Sequence, residues 1–241
     1  LQRNAMHIWP RGRFMMMAMA NLDASFTVTL YLPMTGPNSF AELTTADAVR
    51  SFFQREFPDA VTMMPTVVED FAANPTGSMV TVRTYPWVLG DRVVLAGDAA
   101  HAIVPFYGQG ANAGFEDCLS LVDEINRSPT DLGAAFDRYQ RSRKPNAEAI
   151  ADLALANFNE MRDHVASKTF LIKKRFEQLL HRLYPRLFVP LYPMISFSLI
   201  PYAQARARAL AQARAIRAIA LTAGFGLAAG LGWLLLQSLK T

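Results

Sequence analysis

The sequence predicts an α/β chain, read as α+β when this piece is taken alone. It combines part of a doubly wound parallel sheet with an antiparallel sheet and a closing helical region. Three observations carry that prediction. Arg92 to Ala96 is a valine-rich run between Gly90-Asp91 and Gly97-Asp98, the pattern of a buried strand. It leads through a glycine-bearing loop into a helical stretch, Ala111 to Ile125, with Phe115, Leu119 and Val122 at helical spacing. Upstream, the apolar runs Phe14–Met19 and Phe26–Leu32 flank Asn21-Leu22-Asp23, a turn signal, and so read as antiparallel strands.

The elements follow in order. Residues 5–32 hold the antiparallel strands. Thr44 or Thr45 caps a helix through Phe57, which Pro58 ends. Met79–Thr84 carries valines at alternate positions and reads as a further strand. Thr130 or Asp131 caps a long helix, in which Pro145 predicts a kink or break. Helical pattern resumes through Val165 and again over Lys168–Leu183. Pro185, Pro190, Pro193 and Pro201 then punctuate a bent helical segment. The expected organisation is a β-sheet with a helix over 1–88 and a loop-and-helix motif over 89–128. A helical region follows over 129–202, then a basic helix with an apolar tail over 203–241.

Composition excludes several classes. The 24 basic and 20 acidic residues leave a net charge of +4, and the basic residues are not interleaved with aromatics in one patch, so nucleic acid is not an expected partner. A single cysteine, Cys118, excludes an internal disulfide and reads as a small buried residue. No His/Cys/Asp/Glu spacing suggests a metal. No serine or cysteine stands in a nucleophile elbow, so Asp98 and His101 are not read as a hydrolytic pair. His101 reads as a structural imidazole.

The segment GDRVVLAGDAAHAIVPFYGQGANAGFED, Gly90 to Asp117, places an acid, Asp98, at a strand end. Gly108 and Gly110 follow, allowing close backbone approach, and then a helix N-terminus whose free N–H groups favour negative charge. That arrangement suits a polyhydroxylated, electron-accepting or anionic ligand.

The pattern GD-x₆-P-x₃-QG-x-N-x₃-ED resembles the second flavin motif of the single-component FAD aromatic hydroxylases. HIWPRGRFMMMAMANLD (His7–Asp23), VPFYGQG (Val104–Gly110) and NFNEMRDHV (Asn157–Val165) are similar to the kynurenine 3-monooxygenase branch of that family. Tyr107 and Ala111 depart from the branch, where Phe and Met are common. The resemblance implies a Rossmann-like FAD domain beside a substrate sheet. The cofactor would be FAD, with NADPH as co-substrate, dioxygen as oxidant and L-kynurenine as substrate; the flavin would drive the chemistry without a catalytic side chain. It implies FAD contacts from Asp98, Pro105, Gly108, Gln109, Gly110, Ala111 and Asn112. It implies a substrate pocket drawn from Met15, Met17, Met19, Tyr31, Pro105, Phe106, Gln109, Asn157 and Tyr192. By pattern alone, alternate Met15, Met17 and Met19 share one strand face, which is more often core than pocket. Asn157 stands in an otherwise apolar helical run, and a buried amide needs partners.

The family's G-x-G-x-x-G fingerprint does not occur here, so the chain is expected to be the C-terminal half of a longer enzyme, partnered by an N-terminal half. Two alternatives remain: a salicylate- or ubiquinone-pathway-type hydroxylase, or a non-catalytic membrane-bound fragment. Ala218–Leu236 holds no charged residue over 19 positions, with Gly226 and Gly230 in small-xxx-small spacing. That length just crosses a bilayer. Arg206, Arg208, Arg214 and Arg217 precede it and suit an anionic cytosolic surface. The expected location is therefore a membrane facing the cytosol: the mitochondrial outer membrane in a eukaryote, the cytoplasm or inner membrane in a bacterium.

Overall fold

A computed structural model of the chain describes residues 1–164 and 167–219. The chain forms two compact units: Leu1–Thr81 with Ala154–Arg175, and Val82–Leu153 with Phe176–Thr241.

The first unit is built on a three-stranded antiparallel sheet of β1 (His7–Pro10), β2 (Met15–Ala20) and β3 (Phe26–Tyr31), in that order. The expected turn joins β2 to β3. The Asn21 N–H donates to the Ser25 carbonyl at 2.9 Å and the Ser25 N–H to Asp23 Oδ1 at 3.0 Å. Register places Met16 opposite Trp9 and Leu30, and Met15 opposite Tyr31. Because side chains alternate, the two sets face opposite sides of the sheet.

The Met16 side carries the core. Phe14, Met16, Trp9 and Leu30 pack against Val49, Phe52 and Phe53 of α1 (Ala46–Glu56) and Ala60 of α2 (Pro58–Val61). They also meet Val67, Val68 and Phe71 of α3 (Val67–Ala73). Thr45 starts α1 by accepting the Ala48 N–H on Oγ1 at 3.2 Å, and Pro58 opens the next short helix. Phe14, Phe52, Phe53 and Phe57 form an edge-and-tilt cluster. Truncating Phe52 to Ala would cost about 3–5 kcal/mol.

The second unit departs from expectation at three places. Met79–Thr84 is not a strand. Its Val82 and Thr84 N–H groups donate to the Ala102 and Ala100 carbonyls, so the extended segment is satisfied by a turn instead of a ladder. The run Arg92–Ala96 yields only β5 (Val93–Val94), paired antiparallel with β4 (Val88–Leu89) through a turn at Gly90. Val93 is 48% exposed, so this is not a buried strand. Pro145 does not end its helix: α6 runs unbroken from Leu132 to Asn159. Buried Tyr139, Arg143, Ala147 and Ile150 on both sides of the proline hold it, and Asn146 Nδ2 donates to the Ser142 carbonyl within the affected turn.

Between β5 and α6 come the one-turn α4 (Asp98–His101), a 3₁₀ turn (Pro105–Tyr107) and α5 (Gly110–Arg127). Asp131 caps α6 through the Ala134 N–H. A π turn, Glu160–His164, follows α6 in the first unit, where the Gly12 N–H meets the Arg162 carbonyl at 3.3 Å. Then come α7 (Lys168–Leu183), α8 (Leu191–Ser196) and α9, residues 202–219. Met194, Ile195, Tyr202 and Ala205 pack on Ala113, Ile150 and Leu153. Arg206 and Arg83 both pair with Asp152, at 2.8 and 2.6 Å, tying α9 and the segment around Arg83 to α6. No helix among the described residues is long and apolar enough to cross a membrane, and the apolar segment 218–236 lies outside them except for its first two positions.

Candidate functional site

The loop between β5 and α5 is set by its backbone. Gly97 has φ +57° and ψ −142°, and Gly108 has φ +64°. An L side chain at either position would be strained. The turn at Gly97 puts Asp98 at the surface, where its carboxyl is bonded to no other described residue. Gly108 turns the chain into α5, whose first N–H groups, Gly110 to Asn112, have no partner within the helix. Ala111 and Asn112 are exposed there, as are Pro105 and Gly108.

Gln109 is buried just before α5, and its Oε1 accepts from Asn112 Nδ2 at 3.0 Å and from the Tyr202 hydroxyl at 3.1 Å. The side-chain amide is therefore fixed from two directions. Burial, with Glu116 nearby, pushes the Tyr202 phenol up to about 12, so it stays a donor at neutral pH. Tyr202 was not legible as a site residue. It lies 93 positions from Gln109, and no spacing signals the pair.

Beneath the loop lies a buried polar cluster. Asp117 accepts from the Gly97 N–H at 2.9 Å, meets His101 Nε2 at 2.5 Å, and accepts from Arg143 Nε at 2.7 Å. Arg143 also donates to Glu116 at 2.6 Å and to the Ala113 carbonyl at 3.1 Å. Burial pushes the Asp117 carboxyl up, but the His101, Arg143 and Gly97 hydrogen bonds outweigh it and hold the group below the usual carboxylate range. His101 is structural, as expected, with its ring 5.3 Å from that of buried Trp87. Cys118 is exposed, contrary to expectation. The helix turns Ala113, Asp117 and Glu124 inward, and a neighbour of Asp117 on that helix faces out.

The remaining predicted pocket residues divide between the units. In the first, Met15, Met17 and Met19 share the sheet face opposite the helices. Met15 and Met17 are buried, Met19 is 43% exposed, and half-buried Tyr31 stands opposite Met15. Burial raises the Tyr31 phenol, against a hydrogen bond from Thr29. Asn157 is half-buried one turn before the π turn, with Nδ2 3.6 Å from Met161 Sδ. It is thus not the fully enclosed amide that the apolar sequence suggested, because Leu155 beside it is exposed. In the second, Phe106 is buried, and Tyr192 stacks on Tyr107 with centroids 5.9 Å apart. A separate cavity of about 1350 Å³ opens around β3 and residues 74–79; it includes Met16 and Tyr31 but not Met15, Met17 or Met19.

These features fit a flavin: an unpaired surface carboxyl for a polyol, two left-handed glycines, and free N–H groups opening an 18-residue helix. The family model described as FAD binding domain matches residues 10–154. The chain belongs to that family. FAD is accordingly its cofactor, and the fold is one of helices with small antiparallel sheets and a helical C-terminal region. This FAD-binding chain is 47% identical over 207 residues to a kynurenine 3-monooxygenase of Flavobacterium psychrophilum, covering 86% of the chain and 46% of the relative. It is 48% identical to a kynurenine 3-monooxygenase of Dictyostelium discoideum, covering 86% and 47%. The chain thus spans about half the length of the curated relatives it matches. Among solved structures, tetracycline destructase Tet(55) aligns with TM-score 0.52 at 16% identity over 81% of the chain and 50% of that protein, which is a likeness of fold.

Proposed function

We propose that this chain is the flavin-loop and substrate-sheet portion of an FAD-dependent kynurenine 3-monooxygenase that hydroxylates L-kynurenine with NADPH and dioxygen. The observation that carries the reading is the unpaired Asp98 carboxyl between a left-handed Gly97 and the open N-terminus of α5, in a chain nearly half identical to enzymes of that name. Asp98 would accept from ribitol hydroxyls of FAD, while the N–H groups of Gly110, Ala111 and Asn112 would be available to its electron-accepting ring. Pro105, Gly108 and Gln109 shape the wall, with Gln109 oriented by Tyr202 and Asn112. FAD, when bound, accepts hydride from NADPH and activates dioxygen. The protein's share is to place the substrate ring and exclude water. In the first unit, Met15, Met17, Met19 and Tyr31 would supply apolar contacts and Asn157 a polar contact to the substrate; in the second, Phe106 would supply an apolar contact and Tyr192 a polar one. The ring amine of kynurenine already activates the carbon ortho to it, so no strong protein base is required.

Two further parts complete the proposal. The partner of this chain is an N-terminal half bearing the G-x-G-x-x-G fingerprint, and it covers Phe115, Leu119 and Val122 of α5. Residues 218–236 anchor the protein to a membrane facing the cytosol; 19 uncharged residues are long enough for that. The test uses the full-length protein. It should purify yellow, oxidise NADPH faster when L-kynurenine is added, and form 3-hydroxykynurenine. A colourless protein, or one stimulated by salicylate and not by kynurenine, would overturn the reading. Removing residues from Ala218 onward should release it from membranes; pelleting of the truncated protein in high salt would place the anchor elsewhere.

A further inference from the structure

Asp117 uses both carboxylate oxygens, and each serves a different element. Oδ2 receives the Gly97 N–H at 2.9 Å and lies 2.5 Å from His101 Nε2, so one oxygen grips the residue before α4 and the last residue of α4. Oδ1 receives Arg143 Nε from α6 at 2.7 Å. The Gly97 carbonyl in turn accepts from the Ala100 and His101 N–H groups at 2.9 Å. Both peptide groups of Gly97 are therefore committed, and the direction in which Asp98 leaves the chain is fixed. A Cβ on Gly97 would lie 3.9 Å from Gly114 Cα, so this strand end sits directly on α5. Arg143 adds a bond to the Ala113 carbonyl on the same stretch of α5. Three elements, the strand end with α4, α5 and α6, converge on one buried carboxylate.

We infer that Asp117 is a positioning residue for the flavin: acting through Gly97 and His101, it fixes the Asp98 carboxyl relative to the N-terminus of α5. This rests on the FAD reading of Asp98 above. A buried carboxylate with three charge-assisted or ring donors is a stiff joint, since leaving any donor unpaired is costly. The surface carboxyl it orients has no side-chain partner of its own, so without the joint it would sample several directions. Pre-orientation lowers the ordering cost of binding. The site therefore consists of an exposed ligand residue and a buried one that aims it.

The test is a double-mutant cycle on the full-length enzyme, reading FAD affinity by fluorescence titration of the apoprotein. Asp98→Ala, Asp117→Asn and the double variant are compared with the unsubstituted protein. Asp117→Asn alone should raise the FAD Kd about tenfold, the scale of one charge-assisted bond. In the Asp98→Ala background it should raise it less than about threefold, because there is no carboxyl left to aim. Ile150→Val, a core change distant in role, controls for lost stability: it should lower the melting temperature and leave the FAD Kd unchanged. If Asp117→Asn does not fold, His101→Asn runs the same cycle, since it removes one bond to Oδ2 and keeps the pair with Arg143. Full additivity with Asp98→Ala, or an unchanged Kd, would overturn the positioning role. An unsubstituted protein that binds no FAD would instead defeat the functional reading itself, and an Asp98→Ala variant of normal affinity would defeat the Asp98 assignment.

Discussion

The two faces of α5 are built on opposite principles. The inward face carries Ala113, Asp117 and Glu124, two of them acids, while the outward face carries Phe115, Leu119 and Val122 at 68%, 69% and 54% exposure. An ordinary surface helix would have these reversed. The inward face is specified by direction: each acid finds an arginine, Arg143 for Asp117 and Arg138 at 2.6 Å for Glu124. The outward face is specified only by area, and area needs a partner. The difference teaches that polar partners fix one face of this helix while its apolar face lies open. The polar face organises what lies beneath the Gly97–Gly110 loop, and the apolar face is the one proposed above to be covered by an N-terminal half.

The largest way to break the comparison is on the polar face. Asp117→Ala would leave Arg143 and His101 facing an empty site, and should cost about 3–5 kcal/mol in chemical denaturation of the full-length protein. A loss under about 1 kcal/mol would mean the cluster is solvent-bridged. Acid should have a related effect. Asp117 titrates below its ordinary value when folded, so its contribution is fully present above about pH 4 and is lost as pH falls through the lower folded value. The difference in unfolding free energy between the unsubstituted protein and Asp117→Asn should therefore narrow below about pH 4 and stay constant above pH 5.

The apolar face gives the next largest effect. In the full-length protein Leu119→Asp should destabilise by roughly 3 kcal/mol, since an apolar contact is lost and a charge is buried. In the 241-residue chain alone the same substitution should change stability by under about 0.5 kcal/mol, because Leu119 is already in water. Equal effects in both would show that the face has no partner.

These two faces also show where sequence is legible and where it is not. Spacing located α5, but could not tell which stripe turns inward, because Phe115, Leu119 and Val122 satisfy the rule for a core face. The inner acids are intelligible only with Arg143 and Arg138, which arrive from α6. The same limit explains Met79–Thr84, whose alternate N–H groups find the carbonyls of a turn in place of a strand, and Arg92–Ala96, whose valines pair with two residues only. Local chemistry was readable where it is self-contained. The Asn21–Asp23 turn, the Thr45 cap and the alternation that separates Met16 from Met15 all depend on neighbours within a few positions. Motif wording brought out Asp98 and the glycines; it did not bring out Tyr202, which orients Gln109 from far along the chain.

On the exposed side of the flavin loop, Asp98→Ala should weaken FAD binding by about 1.5–3 kcal/mol, without the loss of stability expected for Asp117→Ala. Measured together by titration and thermal melting, the two variants separate a ligand from the group that aims it. A large fall in melting temperature of the apoprotein with Asp98→Ala would move that residue from the first class to the second.

The smallest effect expected lies in the first unit and tests whether its own two faces divide labour as those of α5 do. The Met16 side of the sheet packs on α1, α2 and α3 and also borders the cavity around β3, while the opposite side carries Met15, Met17 and partly exposed Met19, the face proposed above to meet the substrate ring. Asn157 stands in the same unit, half-buried at the turn before a π turn, a local geometry that recurs at functional sites. Its amide Nδ2 lies 3.6 Å from Met161 Sδ, a weak acceptor, and a substrate carbonyl or carboxylate oxygen would be a stronger one. Asn157→Ala should therefore cost about 1–3 kcal/mol in transition-state stabilisation for kynurenine and leave the flavin content normal. Both the hydroxylation rate and the substrate-stimulated NADPH oxidation should fall in parallel, because an unpaired polar group on the substrate weakens the same bound state. Wild-type rates, with a lowered melting temperature, would instead make Asn157 a helix-terminating amide, and the methionine face would then be core on both sides of the sheet.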